Sequence, residues 1–147
     1  MIANKIQQMI GEAMKAHDEV RLSTLRLLSS AFNYEKIEKQ RDLTEEEELS
    51  VIRREAKKRK EGAEAYEKAN SKDRAEQELK ELSVLQEFLP PEVSDSDLEK
   101  IVSDAVSEVG ATQISDMGKV MAMVREKTSG NADGGKVAQM VKDKLNG

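Results

Sequence analysis

The chain has 147 residues, enough for one or two domains, and its 36% charged, 37% hydrophobic and 3% aromatic content is that of a charged helical protein with a modest core. It has no cysteine and one histidine, which excludes disulfides, thiolate nucleophiles and cysteine-held metal and leaves almost no room for a histidine-built metal site or triad. The net charge of -5 exerts no global pull on nucleic acid, and no apolar run approaches the ~18 residues of a membrane span.

The start, MIANKIQQMI, follows neither a signal-peptide nor a transit-peptide plan, so the cytoplasm is the expected compartment. Ile2, Ile6, Met9, Ile10 and Ala13 form the first helical stripe, over residues 2 to 15. His17 reads as a loop histidine beside a helix end rather than a catalytic base, and Asp18 as the N-cap of the next helix. That helix runs to about Gln40, with Leu22, Leu25, Leu28, Ser29 and Phe32 on one face.

Thr44-Glu45-Glu46-Glu47 matches a capping box, and Glu45 to Glu48 suit the positive end of a helix dipole, which explains the acidic cluster without a metal. The third helix spans about Glu45 to Ala69 along Leu49, Ile52, Ala56, Ala63 and Tyr66. Arg59 falls inside that apolar line, so it needs a carboxylate partner from a neighbouring helix, because an unpaired buried charge is costly. Around it, Arg53, Arg54, Lys57, Lys58, Arg59 and Lys60 place six basic residues in eight. Such a run either contacts phosphate or is a solvated face balanced by Glu61, Glu64 and Glu67, through pairs such as Lys57–Glu61 and Lys60–Glu64.

Asn70-Ser71 breaks the helix. A fourth follows, with Leu79, Leu82, Gln86 and Leu89 on one stripe and Leu85 and Phe88 beside it. It stops at Pro90-Pro91, the only prolines, which places a domain boundary there: residues 1–91 form a helical N-terminal domain and 92–147 a small C-terminal one. Ser94-Asp95-Ser96-Asp97 is a second capping-box pattern, followed by the stripe Leu98, Ile101, Val102, Ala105, Val106, Val109 and a terminating Gly110.

Two short amphipathic helices close the chain. Met117, Val120, Met121 and Val124 line one, and Val137, Met140, Val141 and Leu145 the other. Between them lies the turn Ser129-Gly130-Asn131-Ala132-Asp133-Gly134-Gly135, with Lys119, Arg125, Lys127 and Lys136 nearby in sequence. A helix start there could hold an anion. Asp133 as first-turn dipole complement, with Asn131 as cap, is the competing explanation. No Walker loop, no GxGxxG and no Ser/His/Asp set is present, so the residues nominate no catalytic, cofactor or metal site.

AMKA (Ala13–Ala16), D..RLSTLRLL (Asp18–Leu28), KKR (Lys57–Arg59), EFLPPEVS (Glu87–Ser94), GKVMAMV, SGNADG and VKDKL, in that order, resemble the YqeY family across essentially the whole chain. That family is similar to the tail domain of the B subunit of the amidotransferase that makes Gln-tRNA and Asn-tRNA, a likeness that begins near Lys57 and is firmest from Glu87. The resemblance implies an all-α fold, with long helices in the N-terminal domain and three helices in the C-terminal one. For such a GatB/YqeY-like protein it implies a link to carbon–nitrogen ligase activity with glutamine as amido-N-donor, as a non-catalytic part. The implied partners are tRNA and an aminoacyl-tRNA synthetase or amidotransferase. No membrane, metal or cofactor is expected.

The expected tRNA-binding residues are Lys119, Arg125, Lys127, Lys136 and Lys142, joined by Arg53, Arg54, Lys57, Lys58 and Lys60. Asn131 departs from the family, which often has a basic residue there. The alternative reading is a protein-interaction adaptor that docks a tRNA-charging or amidation enzyme through the methionine-rich stripes, without touching RNA.

Overall fold

The structure, a computed structural model, describes residues 1–146, and among these there are seven α-helices, one 3-10 turn and no strand. The chain divides into two compact units, Met1–Leu89 and Pro90–Gly147, each with its own apolar core. No helix among the described residues is long and apolar enough to cross a membrane.

The first unit comprises α1 (Ile2–Lys15), α2 (Glu19–Lys39), α3 (Glu45–Lys68) and α4 (Lys72–Gln86). They pack chiefly as two hairpins, α1 on α2 and α3 on α4, around Ile6, Leu25, Leu28, Phe32, Val51, Ile52 and Leu85. The starts follow the sequence. Asp18 Oδ1 accepts from the Arg21 N–H at 3.1 Å. Thr44 and Glu47 complete a reciprocal box, Thr44 Oγ1 accepting from Glu47 N at 3.2 Å and Glu47 Oε2 from Thr44 N at 2.9 Å.

The ends use a less legible device. His17 and Asn70 adopt left-handed backbone, φ 54° and 58°. The next N–H then reaches back into the last turn: Asp18 N donates to Ala13 O at 3.0 Å, and Ser71 N to Tyr66 O at 2.9 Å.

α4 is rotated from the expected stripe. Leu79 is 45% exposed and Gln86 is exposed, while Ala75, Val84 and Leu85 are buried. Its inward face toward α3 carries Glu78 and Glu81, which meet Arg59. Small residues allow the approach: Gly62 on α3 leaves room for the Glu78 side chain, and Ala63 and Ala75 are buried.

The second unit comprises α5 (Asp95–Val109), the 3-10 turn Ile114–Asp116, α6 (Met117–Lys127) and α7 (Gly134–Asn146). Leu98, Val102, Ala105, Val120, Val124, Val137 and Val141 interlock as its core. Gly110 ends α5 in the left-handed region, φ 66°. Only half of the second capping box forms. Ser94 Oγ accepts from Asp97 N at 3.3 Å, but aspartate is one methylene shorter than glutamate and does not return the bond.

Candidate nucleic-acid interface

The turn between α6 and α7 is built from its own backbone. Thr128, buried, caps α6 by donating its hydroxyl to Val124 O at 2.8 Å. Ser129 and Gly130 both take positive φ, 51° and 74°, so Gly130 N reaches Arg125 O at 3.0 Å. The turn is also tied to the entry of α5, because Val93 N donates to Asn131 O at 3.1 Å.

The cap of α7 is Asp133 rather than Asn131. Its carbonyl accepts the first helical bond, from Val137 N at 3.0 Å, and its Oδ1 takes Gly135 N at 2.9 Å. A carboxylate thus already occupies the helix start where an external anion would sit, and the turn is a structural joint.

The cations nominated from sequence divide sharply. Lys127 Nζ donates to Glu108 Oε1 at 2.7 Å and Lys136 Nζ to Asp95 Oδ1 at 2.9 Å. The hydrogen bond to Asp95, followed by the attraction of that carboxylate, raises the Lys136 pKa. Both ammonium groups are therefore committed within the unit. Lys119, Arg125 and Lys142 are exposed and form no ion pair or side-chain hydrogen bond among the described residues.

Lys119 and Arg125 both lie on the exposed side of α6, about 9 Å apart along its axis and about 120° apart around it by helical geometry, with Glu126 also exposed on that side. Gly118 and Ala122, exposed on the same face, place no bulky side chain between them. Met117, Met121, Met123 and Met140 pack against the core of the unit, so they serve packing rather than an exposed methionine stripe.

The basic run on α3 belongs to the other unit and is laced to carboxylates. Arg54 Nη2 donates to Glu35 Oε2 at 2.9 Å, and Lys58 Nζ to Glu55 Oε1 at 3.0 Å. Lys57 lies 3.9 Å from Glu61, and Arg53 and Lys60 are also engaged. Arg59 has the inter-helix partner its position demands: its Nε is 3.0 Å from Glu81 Oε2, with Glu78 and Glu55 at 3.8 and 3.7 Å. The Arg59 N–H does not point along the line to Glu81, so the contact is ionic rather than a directed hydrogen bond.

Sequence reasoning missed one buried group. Glu48, 0% exposed, accepts Ile2 N at 2.9 Å and Ala3 N at 3.3 Å. A carboxylate from α3 therefore caps α1, which has no side-chain cap of its own. No signal distinguishes it from Glu45, Glu46 and Glu47 in the sequence.

Two helical units, each with its own apolar core, define a small all-α protein of two parts. The chain matches the family described as Yqey-like protein over residues 3–145, nearly its full length, and it belongs to that family. It is similar to the uncharacterized protein C22F3.15 of Schizosaccharomyces pombe, 30% identical over 89 residues that cover 60% of this chain and 72% of that protein.

Proposed function

We propose that this YqeY-family protein is an RNA-binding accessory module whose second unit grips the sugar–phosphate backbone of tRNA. In this reading a partner enzyme supplies the glutamine-dependent carbon–nitrogen chemistry. The observation that supports it most is that Lys119, Arg125 and Lys142 are exposed and have no ion-pair partner among the described residues, while the nearby Lys127 and Lys136 are held by carboxylates. Free cations release counterions when they meet phosphate; paired ones must first give up a partner. The face formed by Gly118 and Ala122 is low and carries no ring for stacking bases, so it favours recognition by shape and phosphate over base reading.

The test is a titration with total tRNA between about 50 and 200 mM salt. Three phosphate contacts give a log–log salt slope of about -2 to -3. Lys119→Ala/Arg125→Ala/Lys142→Ala together should flatten that slope towards zero, whereas Lys127→Ala/Lys136→Ala should change it by less than about one. No tRNA binding at low salt, or equal slopes for the two variants, would overturn the reading.

A further inference from the structure

The outward face of α2 carries an exposed apolar seam. Leu27, Tyr34 and Ile37 are 49%, 73% and 76% exposed, and Ser23 and Ser30 are exposed between them. Residues 23, 27, 30, 34 and 37 alternate steps of four and three, the spacing of a helix that packs on another helix. The opposite side of α2 already sends Leu25, Leu28 and Phe32 into the core. A surface helix needs one apolar face; this one has two.

We propose that the second face docks on α2 of a second copy of this chain, antiparallel, about a two-fold axis at Ser30. The seam is self-complementary in that register. Ser30 meets Ser30 of the second copy, Leu27 meets Tyr34, and Ser23 meets Ile37, so each bulky group finds an apolar or small one. At the rim, Arg26 comes beside Asn33, so no like charges oppose each other there. A parallel pairing would instead set Arg26 against Arg26. Serine at the axis lets the helices approach to about 8–10 Å, where larger residues would hold them apart.

The exposed area sets the strength. Tyr34 alone offers more than about 100 Å². The seam and its rim, over both copies, amount to roughly 1,000 Å², the lower limit of a specific interface. An interface at that limit makes a reversible rather than an obligate dimer.

The chain has no cysteine, which makes the register directly testable in the full-length protein. Under mild oxidation, Ser30→Cys should form a disulfide dimer readily, since its thiol faces its own copy across the axis. Ser23→Cys, which faces Ile37, should crosslink at least tenfold more slowly. Sedimentation velocity should show the unmodified chain dimerising with concentration, and Tyr34→Glu should raise the midpoint at least tenfold while leaving its helical circular dichroism intact. A chain that stays monomeric at about 1 mM overturns the proposal. So does Ser23→Cys crosslinking as fast as Ser30→Cys, or an unchanged midpoint in folded Tyr34→Glu.

Discussion

Glu48 is the most informative residue to perturb in the first unit. Its carboxylate is buried, accepts two N–H groups from the first turn of α1, and lies in the first turn of α3, so it faces the positive ends of two helices. Glu48→Gln keeps the shape and one acceptor oxygen but removes the charge and points an amide donor at backbone donors. Two charge-assisted hydrogen bonds become at most one neutral one, a loss of about 1.5–3 kcal/mol. Glu48→Leu removes the buried charge and its desolvation but leaves Ile2 N and Ala3 N without their acceptor; because those donors are main chain, no side-chain change can delete them. Its expected cost is about 2–4 kcal/mol. Urea unfolding followed by circular dichroism gives the ranking, and amide hydrogen exchange at Ile2 and Ala3 gives the local effect. The two units need not unfold together, so the local readout decides. Stability of Glu48→Leu within about 0.5 kcal/mol of the parent, with unchanged protection at Ile2 and Ala3, would refute the reasoning, because it would mean that the desolvation of the carboxylate cancels everything it holds.

Arg59→Met should cost about 2–3 kcal/mol in urea melts, because it leaves Glu55, Glu78 and Glu81 clustered without their shared cation; Arg59→Lys should recover less than half, since an ammonium cannot span the same carboxylates. His17→Gly should stabilise the first unit by about 0.5–1 kcal/mol in thermal melts, since left-handed backbone is strained for a residue with a Cβ. Hydrogen bonding from Arg41, then from Thr44 N and Lys39, holds the Glu47 carboxyl well below its ordinary range. Its contribution is therefore complete above the unfolded value near 4.3 and is lost as pH falls through the depressed folded one. Urea midpoints measured at about pH 6 and pH 3 should fall less in Glu47→Gln than in the parent.

Local chemistry was legible and tertiary chemistry was legible only where it violated a pattern. Thr44 and Asp18 were readable as caps because a cap and its donor lie within three residues. Arg59 was readable because a charge inside an apolar line demands a partner. Glu48 was not, because it obeys the pattern of an acidic helix start and its partners arrive from 45 residues or more away. α4 was read in the wrong rotation because its inward face is written in alanine and paired glutamates, which hydropathy counts as outward. The helix ends at His17, Gln40 and Asn70 carry no glycine to announce them. Among the cations, Lys127 and Lys136 were indistinguishable from Lys119 until Glu108 and Asp95, 19 and 41 residues distant, were placed beside them.

The two readings of this protein meet in one measurable quantity. In the proposed reading, three phosphate contacts from a chain of net charge -5 give weak, salt-limited binding. Pairing through α2 would place two such surfaces in one particle, and two linked contacts multiply affinity without any new interaction at either site. Tyr34→Glu lies outside the proposed RNA-binding cations, so it should leave the contacts of each monomer intact while removing the pairing. Above the dimer midpoint its apparent affinity for a long RNA carrying several binding sites should fall at least tenfold, and its salt slope should drop to about half that of the parent. For a single short RNA duplex with room for one copy, parent and variant should bind alike. If Tyr34→Glu lowers the affinity for the short duplex as well, the tyrosine touches RNA itself and the dimer reading gives way. If neither RNA distinguishes the two proteins, the monomer is the binding unit and the seam on α2 has no part in it.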